Sequence, residues 1–156
     1  MIIKKIKKNN GFVMLFAVTL SALFLALALG VANIAFREVK FSTNTRDTND
    51  AFFAADTGAE CALFNDKSTV NSFPQSGGPS SIQCADSTIN FSTPSPSWNF
   101  IVTGLGSTQQ SCVKVNVIKD FSLNTTNIIS KGYNADDTSC GGSNSNRVER
   151  QIELNY

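Results

Sequence analysis

A chain of 156 residues with 13 basic and 12 acidic side chains supports one small domain. Its formal charge of +1 conceals an asymmetry: Lys4, Lys5, Lys7 and Lys8 all precede Gly11, and the remaining nine basic residues face 12 acidic ones, a net of −3. Phosphate binding needs a basic face, so this balance argues against nucleic acid as the main partner. The absence of histidine excludes Ser-His-Asp triads, Cys-His pairs and histidine metal sites.

Residues 1–11 form a basic leader that ends in glycine, and it reads as a cytoplasmic flank by the positive-inside rule. From Phe12 to Phe36 there is no charged residue; the polar side chains are Thr19, Ser21 and Asn33, and Gly30 is the internal glycine. At about 1.5 Å per residue a helix over 12–36 spans roughly 37 Å, enough to cross a hydrocarbon core of about 30 Å. Three readings fit this start. One is a secretory signal cut near Ala28 or Ala32, although the run is long for that. The second is a plain signal anchor. The third is a leader removed at Gly11, leaving Phe12 as the new N-terminus.

Residues 37–65 contain no proline, and Phe52, Ala55, Ala59 and Leu63 recur at helical spacing, with Phe41 further up. This predicts an amphipathic continuation with one face on a globular domain. FSTNTRDTN is poor in helix propensity, and Gly58 costs about 1 kcal/mol relative to alanine, so a break at 42–48 is the alternative to one helix over 12–65.

Pro74, Gly77, Gly78 and Pro79 mark a loop. Short strands are predicted at Ile82–Ala85, Thr88–Ser92 and Asn99–Thr103, and stronger ones at Ser111–Lys119, Thr126–Tyr133 and Arg147–Tyr156. In the last, Val148, Ile152, Leu154 and Tyr156 share a face, and Arg150 falls on it and needs a partner or an edge position. Trp98 reads as a core or edge aromatic. The expected fold is α+β: a long N-terminal helix, apolar in its first half, packed on a small antiparallel sheet within a β-rich region 66–156.

Cys61, Cys84, Cys112 and Cys140 all follow the apolar run, without a CxxC pair, so two disulfides in an exported domain fit better than zinc. Three connectivities exist; the pairing of chain neighbours, Cys61–Cys84 and Cys112–Cys140, is favoured. GLGSTQ at 104–109 lacks the lysine and helix of a phosphate loop. Asp136-Asp137 lacks calcium-loop spacing. Asn90-Phe-Ser and Asn124-Thr-Thr match the glycosylation tripeptide, a short pattern frequent by chance. No catalytic, cofactor-binding or metal-binding residue is expected, and no enzyme.

Residues 4–36, KKIKKNN-Gly11-Phe12-VMLFAVTLSAL and onward, resemble the class III leader and N-terminal helix of type IV pilin-like proteins. DAFFAADTGAECAL at 50–63 looks like the corresponding segment of PilX-type minor pilins, and NIISKGYN with RVERQIELNY is loosely similar to their last strands. The resemblance implies cleavage between Gly11 and Phe12 by a prepilin peptidase, N-methylation of Phe12, storage in inner-membrane lipid, and partnership with other pilin-like subunits in a cell-surface filament, with the C-terminal domain extracytoplasmic. One departure matters. The fifth residue of the mature chain is usually glutamate, and here it is Phe16. That points to a minor or tip subunit. A single-pass anchored surface protein and a secreted enzyme are the other readings.

Overall fold

The computed structural model describes residues 10–69, 71–91, 95–135, 140–142 and 146–156. The leader lysines Lys4–Lys8, Ser92 at the end of the second predicted strand, and Asp136-Asp137 lie outside the described residues. Among the described residues the fold is α+β, one long helix followed by six strands. It separates between Thr43 and Asn44 into two compact units.

The helix α1 spans Asn10–Lys67 without interruption, so the alternative break at 42–48 does not occur. Once nucleated by a strong apolar former, a helix adds one hydrogen bond per residue and propagates through weaker sequence. Local contacts help here: Thr43 Oγ1 donates to Val39 O at 2.9 Å, and Arg46 pairs with Asp50 one turn on at 3.9 Å. The N-terminal unit is helix alone, and its side chains from Phe12 to Thr43 are exposed.

In the second unit the chain continues as β1 (Ser81–Cys84), β2 (Ser87–Asn90), β3 (Ser97–Leu105), β4 (Ser111–Asp120), β5 (Thr125–Tyr133) and β6 (Glu149–Asn155). β1 and β2 form a separate antiparallel hairpin; β3-β4-β5-β6 form an antiparallel meander in that order. Alternation turns Trp98, Phe100 and Val102 of β3, Val113, Val115 and Val117 of β4, and Ile128 and Ser130 of β5 to one buried face. The register sets Val115 opposite both Phe100 and Ser130, and Val117 opposite Trp98 and Ile128. Trp98 is thus a core aromatic. Arg150 is exposed on β6, the edge strand, which satisfies its need for an edge position.

The helix face that meets this sheet includes Ala55 and Ala59 as predicted but not the large members of the predicted face. Phe52 is exposed and Leu63 only half-buried; the buried residues are Ala51, Ala54, Ala55, Gly58, Ala59 and Ala62. Phe41, in the N-terminal unit, is exposed as well. The reason is closeness of approach. A Cβ on Gly132 of β5 would stand 2.2 Å from Ala51 O and Ala55 N, and one on Gly58 would stand 2.6 Å from Ser130 Oγ and from a Val113 methyl. Ser130 Oγ donates to Ala55 O at 2.6 Å, a contact a bulky helix face would forbid. The propensity cost of Gly58 is therefore offset by packing.

Phe73, in the loop after α1, is fully buried, with its ring 5.5 Å from Trp98 and 5.7 Å from Phe91. At the β4–β5 turn Asp120 accepts from Ser122 N, Ser122 Oγ and Leu123 N, and these bonds hold its carboxyl below the ordinary value.

Candidate functional site

The apolar segment is the first candidate. Gly11 and Phe12 lie in the first turn of α1, and Phe12 and Phe16 follow at i and i+4 on one face. They are 76% and 57% exposed, and the leucines, valines and phenylalanines that follow them to Phe36 are exposed as well, Leu20 least at 36%. Apolar surface of this length in contact with water is strongly unfavourable at roughly 25 cal/mol per Å², so an apolar surrounding is required. The polar groups inside the segment are largely satisfied locally. Thr19 Oγ1 donates to Phe16 O and Ser21 Oγ to Val18 O, each at 2.9 Å. A Cβ on Gly30 would meet nothing within 4 Å, so its smallness serves no contact among the described residues. The helix is long and apolar enough to cross a membrane.

The second candidate lies at the other end of α1, within the second unit. Asn65 caps the last turn: its Nδ2 donates to Cys61 O at 2.9 Å and to Gln83 O at 3.2 Å. Next to it Asp66 is held from two strands. Lys119 of β4 makes an ion pair with Asp66 Oδ1, the two side chains being 9% and 4% exposed. Lys119 also donates to Asn71 Oδ1 at 3.3 Å. Tyr156, just past β6, donates its hydroxyl to Asp66 Oδ2 at 2.7 Å, and Lys67 Nζ sits 4.0 Å from its ring centroid. Burial, then the hydrogen bond and the charge of Asp66, push the Tyr156 hydroxyl well above its ordinary value of 10.0. This network ties the helix end to strands β4 and β6. It has no histidine, cysteine or open nucleophile, and among the described residues no group of three or more metal-ligating side chains converges.

The four predicted cysteines form two disulfides, Cys61–Cys84 and Cys112–Cys140, with Cα atoms 5.7 and 5.9 Å apart. The first fastens α1 to β1. The second fastens β4 to the loop that leads to β6, and there Arg147 completes the closure. Its guanidinium carbon lies 3.7 Å from the Tyr133 ring centroid, and its nitrogens donate to Cys140 O at 2.8 Å and to Gly142 O. Asn134 Oδ1 accepts from Val148 N at 2.7 Å.

Of the residues singled out in the sequence, then, Gly11, Phe12 and Phe16 fall together at the start of the helix, and the cysteines pair in the second unit. Asp66, Lys119 and Arg147 carry no sequence signal of this kind, and Tyr156 enters only as a member of the apolar face of the last strand. Only a lone charge inside each otherwise alternating strand, of the kind that drew attention to Arg150, would have indicated Lys119. No family model, no curated protein and no solved structure matches the chain.

Proposed function

We propose that the chain is a minor structural subunit of a type IV pilus-like or pseudopilus filament, anchored in the membrane before assembly and without enzymatic activity. One observation carries this reading: a fully exposed apolar helical segment from Phe12 to Phe36 without an ionisable side chain, immediately after a basic leader ending in glycine. Such a surface is satisfied equally by lipid tails and by other apolar helices, so it suits a subunit that passes from one to the other. The second unit supplies a disulfide-bonded domain suited to an oxidising exterior. A prepilin peptidase would cut between Gly11 and Phe12, and Phe12 would be N-methylated.

Phe16 supports the minor place in this reading. A free amine on Phe12 inside an apolar bundle is costly unless a carboxylate meets it, and the chain offers none of its own before Glu38. The same observation favours a second reading, a single-pass anchored surface binding protein with no assembly role. Intact-mass analysis of membrane-extracted protein, combined with shearing, separates the two. A chain beginning at methylated Phe12 and present in sheared filaments is the expected result. A mature chain that retains Lys4–Lys8 and stays with the cell membrane overturns it.

A further inference from the structure

Among the described residues, the cleft beside Trp98 is polar, uncharged and bordered on one side by the ring of Phe91. We propose that it binds a neutral carbohydrate. This inference stands apart from the filament reading, since every residue it uses belongs to the second unit.

The loop after α1 folds across the cluster of Phe73, Phe91 and Trp98 and leaves a cleft of about 450 Å³. That lies within the range of roughly 300–1,000 Å³ usual for small-ligand sites. Gln75, Ser76, Ser80 and Ser95 line it, with the half-buried ring of Phe91 as its aromatic side and the buried Trp98 beneath. Among the described residues no ionisable side chain takes part. This composition selects among ligands. Phosphates, carboxylates and ammonium groups find no countercharge. Purely apolar ligands would strip water from several hydroxyls without returning a hydrogen bond. Sugar hydroxyls, by contrast, donate and accept at once, as serine hydroxyls and the glutamine amide do. The C–H face of a pyranose is the part that packs on aromatic surface. The depression beside Phe64 lacks this character, being flanked by Glu60 and Lys67.

The rim is preformed. Gly77 and Gly78 adopt φ of +63° and +148°, and a Cβ on Gly78 would stand 2.7 Å from Pro74 Cγ. The loop therefore turns in a conformation that glycine allows and packs against its own proline, which limits the ordering required on binding. Each such hydrogen bond replaces one to water, so a single site is expected to bind in the millimolar range and to gain from repetition along any array.

Trp98 is the single tryptophan of the chain and borders the cleft from the core, so its emission responds to the cleft while the fold is intact and to unfolding when it is not. The test is a titration of the full-length protein, in a zwitterionic detergent free of sugar, with lactose and with N,N′-diacetylchitobiose, followed by Trp98 fluorescence and by amide NMR shifts. Sialyl-lactose and a proline-rich peptide are titrated in parallel. A saturable change with a neutral sugar, weakened about tenfold in a Gln75→Ala, Ser76→Ala variant whose circular dichroism is unchanged, is the expected result. Both substituted side chains are exposed, so the fold tolerates their loss. Three results overturn the proposal: no response to either sugar from the folded protein, an equal response from the double variant, or saturation by the peptide alone.

Discussion

The two parts of α1 solve opposite problems with the same backbone. In the N-terminal unit, residues 12–36 carry leucine, valine and phenylalanine outward all round and stay exposed. In the second unit, residues 51–62 bury a face made of alanine and glycine, and turn Phe52 and Phe53 away from it. The difference shows that side-chain size, more than hydrophobicity, decides which face of a helix meets a sheet when the backbones approach to contact. Large apolar groups are left for whatever surrounds the molecule.

The sharpest way to break this contrast is to enlarge the sheet under the helix. Gly132→Val places atoms where Ala51 O and Ala55 N already stand, so the helix must lift away. A loss of about 3 kcal/mol is expected, read as a lower urea midpoint by Trp98 fluorescence, with membrane extraction unaltered. The reciprocal change is Leu25→Arg in the apolar segment. It should cost about 3 kcal/mol of membrane insertion, read as partition between membrane and soluble fractions, and leave the urea midpoint of the second unit unchanged.

A smaller effect is expected at Tyr156. Its hydroxyl must keep its proton to donate to Asp66, and its value in the folded chain is raised above the ordinary 10.0. A raised value means that the stability contribution is complete below pH about 10, where the unfolded tyrosine is also protonated, and declines as pH rises beyond it. Tyr156→Phe should therefore be less stable than the parent by under about 1 kcal/mol at neutral pH, the group being partly exposed, and the gap should close in alkaline solution. Paired chemical denaturation at pH 7 and at high pH checks the sign. The smallest effect belongs to Phe64→Ala. Phe64 is 74% exposed at the helix end, so the stability from urea unfolding should change by no more than about 0.5 kcal/mol. A large shift would show that this outward ring supports the fold after all.

The order of elements was readable because their signals are periodic and local. The uncharged run to Phe36 has a length only a long helix uses, and SCVKVNVIK alternates as a half-buried strand must. Phe52 and Leu63 misdirected the reading, since hydropathy ranks phenylalanine and leucine above alanine and says nothing of how near a strand lies. Gly132 held that information, but a glycine inside a strand has several explanations until its neighbour is seen. Phe73 sat among prolines, glycines and serines, where a buried ring is unexpected. The Asp66, Lys119 and Tyr156 network joins residues as many as 90 positions apart, and single-chain periodicity carries no such pairing. At the apolar segment, motif chemistry proposed Gly11-Phe12, and geometry adds only that both lie at the start of the helix.

The hydroxyls of Thr19 and Ser21 have a final consequence. Each returns its proton to the helix's own backbone, so neither asks anything of the medium outside. With the main chain likewise bonded along the helix, moving these turns from one oily phase to another exchanges no hydrogen bonds. Such a transfer is nearly isoenergetic in its polar part, and the choice of phase is left to shape and van der Waals fit. Asn33 is the remaining polar side chain in the run, and whichever phase accommodates its amide gains the one polar preference available there.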